Sequence, residues 1–351
     1  MKLKKLVIMA SLTAFVITMA VFTCATAEDQ KAFKWRMQTY AVPGTVGFQS
    51  QQIALDSLKA ATNGRLEIKL YGVGTLVRAS DQLEACGKGL FEVMHNPDAY
   101  AAGLDAGFAP IFSAIALWDD PRQVRVWIES FGGKEIMEKA YAKYGVKYLG
   151  STLIGAEPIM STKPLEKLED FKGIKIRTPS GMTSMLFDKL GAAPVSLPGG
   201  EIYSALDTKV IDAAEFVTLS EDVGAGFHEV TKYVLYPSFH GPIAVVNYGV
   251  NQKAWDKLPD DLKAAFKMMV YEADYLYDIM SAAADYKALQ EIKAKGLTVT
   301  KLSAEDMAKA RELSLEVAQE YKKKSPLAEE VIDSIVSFLQ QTGQLPADNK
   351  Q

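Results

Sequence analysis

The sequence predicts an α/β fold of two lobes joined by a hinge, with a cleft between them and helices at the C-terminus. Strand-like alternation and helical periodicity succeed one another twice along the chain, which calls for two sheets flanked by helices. Residues 28–351 exceed what one hydrophobic core ordinarily organises, and 48% of the chain is hydrophobic, as in globular domains. From Pro259 onward the pattern is almost wholly helical.

Residues 33–40 alternate apolar and polar at period two and read as the first strand, broken by Pro43-Gly44. A helix follows over 46–62 and stops at Asn63-Gly64, then a strand over 66–70, a helix over 80–88 and a strand over 90–94. This β-α-β-α-β opening predicts a parallel sheet whose ligands bind beyond the carboxyl ends of its strands. One helix is expected over 118–144. The strand pattern restarts at 146–153, 174–177 and 194–197, with helices over 183–190 and 201–206. Late strands at 233–236 and 243–250 supply a hinge that suits a closing cleft. The expected division is 28–150 plus 213–245 for the first lobe and 151–212 plus 246–300 for the second. Helices over 259–295, 303–321 and 327–341 complete the chain, those of 301–351 packing on the lobes or on a dimer partner.

Residues 1–27 combine Lys2, Lys4 and Lys5, an apolar run over 6–22 and small residues at Ala25 and Ala27, the layout of a cleavable export signal. Cys24 raises a lipid-attachment alternative, which Phe22 and Thr23 suit poorly. Losing the three lysines takes the net charge from −4 to −7, which argues against a nucleic-acid partner. Cys86 alone remains after cleavage, so no internal disulfide forms. It reads as a buried small hydrophobe.

Arg177 ends the short apolar strand Gly173-Ile174-Lys175-Ile176-Arg177. A guanidinium there must be paired, and its planar fork fits a carboxylate. The partner is either a small organic carboxylate or an internal one, Glu201 or Glu215. Catalytic motifs are absent from the sequence. His228-Glu229-Val230-Thr231-Lys232 puts lysine where a zinc helix needs histidine, and Gly72-Val73-Gly74 lacks the third glycine of a dinucleotide loop. A lyase or hydrolase built on Glu157, Glu201, Glu215 and His240 stays open, because paired carboxylates need no local motif. Export and an arginine anchor favour a binding protein over an enzyme.

Three stretches, Leu168 to Pro179, Leu190 to Asp207 and Ile211 to Phe216, together with Val250 to Trp255, resemble the extracytoplasmic solute-binding proteins of tripartite ATP-independent periplasmic (TRAP) transporters. The resemblance runs nearly the whole chain beyond the signal. It implies a periplasmic-binding-protein-like, Venus-flytrap fold, a periplasmic location, and delivery of an organic acid to a TRAP-type membrane permease. A sensing subunit for a separate receptor is the alternative. By this resemblance Arg177 holds the ligand carboxylate, and Leu-Pro-Gly-Gly-Glu-Ile-Tyr with Ala-Ala-Glu-Phe points to the branch for 2-oxo and 2-hydroxy monocarboxylates. That branch often carries Na+ or Ca2+ beside the ligand. Glu215, the backbone carbonyl of Phe216, and His240 are then the cation ligands, although imidazole is softer than the oxygens these ions prefer.

The segment Gly155 to Met160 departs from the branch by losing bulky aromatics, which predicts a larger pocket. An inward Glu157 would repel a second carboxylate, so a monocarboxylate, including aromatic 2-oxo acids, is expected. Tyr100, Glu157, Phe216, Phe239 and His240 join Arg177 as expected substrate contacts.

Overall fold

A computed structural model describes residues 31–346 except Pro198 and Pro242, so the expected signal over 1–27 lies outside the described residues. The strands in chain order are β1 (Phe33–Thr39), β2 (Leu66–Tyr71), β3 (Val93–Pro97), β4 (Val146–Ile154), β5 (Ile159–Ser161), β6 (Lys175–Arg177), β7 (Ala193–Val195), β8 (Ala213–Ala214), β9 (Tyr233–Leu235), β10 (Ala244–Asn251) and β11 (Thr298–Thr300). They build two sheets, ordered β2-β1-β3-β10-β4 and β11-β9-β5-β8-β6-β7.

The first sheet opens as expected, with β1 parallel to both β2 and β3. It is not parallel throughout, because β10 returns from the second sheet and inserts antiparallel between β3 and β4. That return also corrects the expected lobe boundaries. Residues 213–235 supply β8 and β9 to the second sheet, not the first, and 246–251 belong to the first, not the second. The sheets are joined at β4 to β5 (155–158) and at β9 to β10 (236–243), so the crossing runs through loops and not through β10 itself.

Local chemistry explains the helix ends. Thr45 accepts a hydrogen bond from Phe48 N at the start of Val46–Ala61, and Asp120 caps Pro121–Ser130 through Arg122 N. The single helix expected over 118–144 is two, Pro121–Ser130 and Gly133–Ala142. Gly132 adopts φ +91°, a conformation costly for any residue with a Cβ, and this breaks the run.

The 35-residue helix Asp260–Ala294 spans both lobes. Phe266, Met269, Val270 and Ala273 pack on the first sheet beside Trp35 and Leu55, while Ala288 and Ile292 pack with Ile202, Leu206 and Val234 of the second lobe. The C-terminal helices Ala304–Tyr321 and Pro326–Gln341 dock on the lobes. Val317, Ala318, Val331, Ile335 and Phe338 share one core with Trp118, Trp127 and Phe187. Cys86 is fully buried, and desolvation drives its thiol pKa far up, as expected of an inert core residue.

Candidate functional site

Arg177 closes β6, and its 8% exposure demands partners. Nε donates to the carbonyl of Leu197 at 3.2 Å. Nη1 donates to the backbone carbonyl of Glu215 at 2.7 Å and to its Oε1 at 3.2 Å. Of the two internal partners the sequence allowed, the fold takes Glu215, because β6 and β8 are parallel neighbours that pair Arg177 with Ala214. Nη2 makes no hydrogen bond among the described residues. The Phe216 ring lies over the guanidinium, 5.3 Å from Cζ to centroid, so its side chain steadies the Arg177 charge.

Glu157 and His240 enter from the two connections between the sheets. Glu157 N donates to the Gly241 carbonyl at 3.0 Å and Ser238 N to the Glu157 carbonyl at 3.2 Å, tying those connections side by side. His240 Nε2 then lies 3.3 Å from Glu157 Oε2 and 3.5 Å from Glu215 Oε2. Its Nδ1 is hydrogen-bonded to Ser238 Oγ. Glu157, Glu215 and His240 are 6%, 2% and 1% exposed.

Electrostatics couple the three. Burial lifts the Glu157 carboxyl to about 8, against the pull of the His240 hydrogen bond. Burial also works against charge on Glu215, but His240 and Arg177 together outweigh it and hold this carboxyl below its ordinary value. For His240, burial disfavours the imidazolium, yet hydrogen bonds to both carboxylates raise it to about 9. Two carboxylates and an imidazole nitrogen, each offering a ligand atom within 4.8 Å of the others, form a centre that attracts positive charge. The imidazolium of His240 bridges the two carboxylates through Nε2, and the same three side chains offer a donor set that a cation in place of that proton would fit.

The remaining expected residues divide. Tyr100 follows β3 on the first lobe and is half-exposed. Burial raises its phenol pKa, with smaller opposing contributions from the charges of Arg177 and Glu215. Glu157 turns its carboxylate to His240 and is not a free charge lining the pocket. Phe239, expected as a substrate contact, is fully enclosed. Its ring stands edge-on to Phe171 at 5.5 Å and to Phe187 at 5.8 Å, so it is core beneath His240. Ser238, which orients His240, escaped the sequence reading because a serine in a loop carries no signal of its own.

His95 is structural. Thr39 Oγ1 and Thr152 Oγ1 lie 3.0 and 2.8 Å from its two nitrogens, and burial lowers its pKa to about 3, keeping it neutral.

The chain is similar to known proteins over most of its length. A monocarboxylate 2-oxoacid-binding periplasmic protein of Nostoc is 29% identical over 310 residues, covering 88% of this chain and 84% of that one. A TRAP periplasmic solute-binding protein from Pseudoalteromonas atlantica, solved with bound sodium and pyruvate, superposes with a TM-score of 0.79 at 25% identity, covering 89% of this chain and 95% of that one. One from Bordetella bronchiseptica, a mixed-occupancy dimer with calcium and picolinate in one site, gives 0.79 at 25% identity, with 89% and 93% covered. The model of the DctP family, described as bacterial extracellular solute-binding protein, family 7, matches residues 37–324. Proteins of this family bind solutes and are not enzymes. With two sheets joined by crossing connections, and the family match over residues 37–324, this chain belongs to family 7 of the bacterial extracellular solute-binding proteins.

Proposed function

We propose that the protein captures an organic monocarboxylate of the 2-oxo or 2-hydroxy class, aromatic acids included, and hands it to a TRAP-type membrane permease after export to the periplasm. The observation that carries this reading is the half-satisfied guanidinium of Arg177. Leu197 and Glu215 hold Nε and Nη1, while Nη2 is left for a carboxylate. Ligand binding then favours closure, because a desolvated arginine supplies differential affinity for the closed state.

A cation sits beside the ligand, bound by Glu215 and His240 with the Phe216 carbonyl as a further donor. It would neutralise the second negative charge that the ligand brings next to Glu215. The pyruvate and picolinate of the two similar structures support the acid class, and their sodium and calcium support the cation. A homodimer is in keeping with the Bordetella protein.

Thermal shifts of refolded, ligand-free protein test the reading. Monocarboxylates should raise the melting temperature more than dicarboxylates do, by linkage. A dicarboxylate preference overturns the acid class, and no shift with any acid in folded protein overturns capture itself.

A further inference from the structure

The helix Asp260–Ala294 is apolar on two opposite faces. One carries Phe266, Val270, Ala273, Tyr277 and Ile292 and is buried against the lobes. The other carries Met268, Tyr271, Tyr275, Ile279 and Tyr286, each between 52% and 73% exposed. At about 3.6 residues per turn these five fall on one stripe, within roughly 80° of arc and about 27 Å long. Ala282 fills the turn between Ile279 and Tyr286, so no charged side chain interrupts the stripe. A helix on a protein surface ordinarily turns charged and polar residues to water, and one that is apolar on both faces is covered on both.

The stripe is complementary to itself. A twofold interface uses the same patch on both partners, so each residue meets one an equal distance beyond the axis. Laid antiparallel about position 277, the stripe sets Met268 against Tyr286 and Tyr275 against Ile279, while Tyr271 meets the small, exposed pair Ala282-Ala283. Antiparallel packing also brings the positive end of each helix dipole to the negative end of the other. The area is sufficient. Five such side chains leave on the order of 600 Å² in water. That is as large as the largest patch on most monomers, and near the ~800 Å² that each partner gives to a stable interface. Beside Tyr271 a groove of about 80 Å³ between Arg125, Glu129 and Asp274 supplies the polar rim that such interfaces carry.

We propose that two copies of this chain dimerise through the stripe, with their Asp260–Ala294 helices packed antiparallel. Arg177, Glu157, Glu215 and His240 all lie off the stripe, so each copy keeps its own carboxylate site. That a homodimer forms is part of the reading above, on which this inference rests. The face it uses is argued from the stripe alone.

Sedimentation equilibrium of the exported protein across the micromolar range should give a dimer. Tyr275→Glu and Ile279→Glu should each weaken it by roughly 100-fold or more, because the interface would bury an unpaired carboxylate. Both positions are exposed in the single chain, so melting temperature and carboxylate affinity should hold. Val210→Glu, at an exposed apolar residue outside the stripe, should leave the dimer intact. For the orientation, chains carrying Tyr271→Cys are mixed with chains carrying Ala283→Cys under mild oxidation, and a disulfide between the two is expected. A disulfide from mixing Tyr271→Cys with Met268→Cys chains instead means parallel helices and overturns the arrangement. A dimer that survives both glutamate variants overturns the face and leaves the homodimer standing. A monomer throughout overturns the homodimer and the face together, while carboxylate binding by that monomer leaves capture untouched.

Discussion

The Glu157 carboxylate fills the space that a side chain at Gly241 would need. A Cβ built on Gly241 stands 2.7 Å from Glu157 Oε2 and 3.1 Å from Cδ. The two backbones are hydrogen-bonded at this point, so neither can withdraw without parting the connections between the sheets. Gly241→Ala should therefore swing the Glu157 carboxylate away from His240. Overpacking of this kind costs about 1–3 kcal/mol. Calorimetry should show weaker cation binding together with a lowered melting temperature. Unchanged binding and stability would mean that Glu157 relaxes without cost.

Arg177→Ala should cost on the order of 2–5 kcal/mol of carboxylate affinity, roughly 30-fold or more. Arg177→Lys should rescue little, because an ammonium cannot hold Leu197, Glu215 and a ligand in one plane. A loss below threefold in Arg177→Ala by isothermal titration would remove the anchor assignment.

Phe239 packs with Phe171 and Phe187 and should act through stability. Phe239→Leu is expected to cost roughly 1 kcal/mol in urea unfolding while leaving carboxylate affinity within threefold. A tenfold affinity loss at unchanged stability would place its ring in the pocket after all.

Asp98 is buried, accepts hydrogen bonds from Tyr141 Oη and from Asn247 Nδ2, the latter at 2.7 Å, and is pushed up to about 7 by desolvation. The native state therefore binds more protons than the unfolded chain between about pH 4 and pH 7. This contribution is present at low pH, falls as pH rises through that window and is flat above it. Asp98→Asn should gain on the wild type by roughly 3 kcal/mol between pH 4 and pH 8, measured by denaturant unfolding at both. No relative gain would show that Asp98 stays ionised throughout.

Much of the fold was legible because its signals are local. Period-two alternation located β1 and β2, and the helices expected from 46 and 259 start at Val46 and Asp260. The misses have local causes too. β5, β8 and β11 have two or three residues each, too short for alternation to register. The strand expected over 90–94 lies instead at Val93–Pro97, because β10 pairs with His95, Asn96 and Pro97 and extends β3 through them. Gly132-Gly133 broke a helix whose apolar period continued on both sides.

By itself the sequence determined that Arg177 must have an anionic partner, that Cys86 is a core residue, and that two lobes share a hinge. Each follows from residue chemistry or from a pattern a few residues wide. Only the tertiary structure decided which strands share a sheet, that Glu215 is the arginine's internal partner, and that Glu157 meets His240. Glu157 and His240 lie 83 positions apart in the sequence, and their meeting depends on two sheet connections crossing side by side. Such a contact is set by the return of β10 into the first sheet, and no spacing along the chain encodes it.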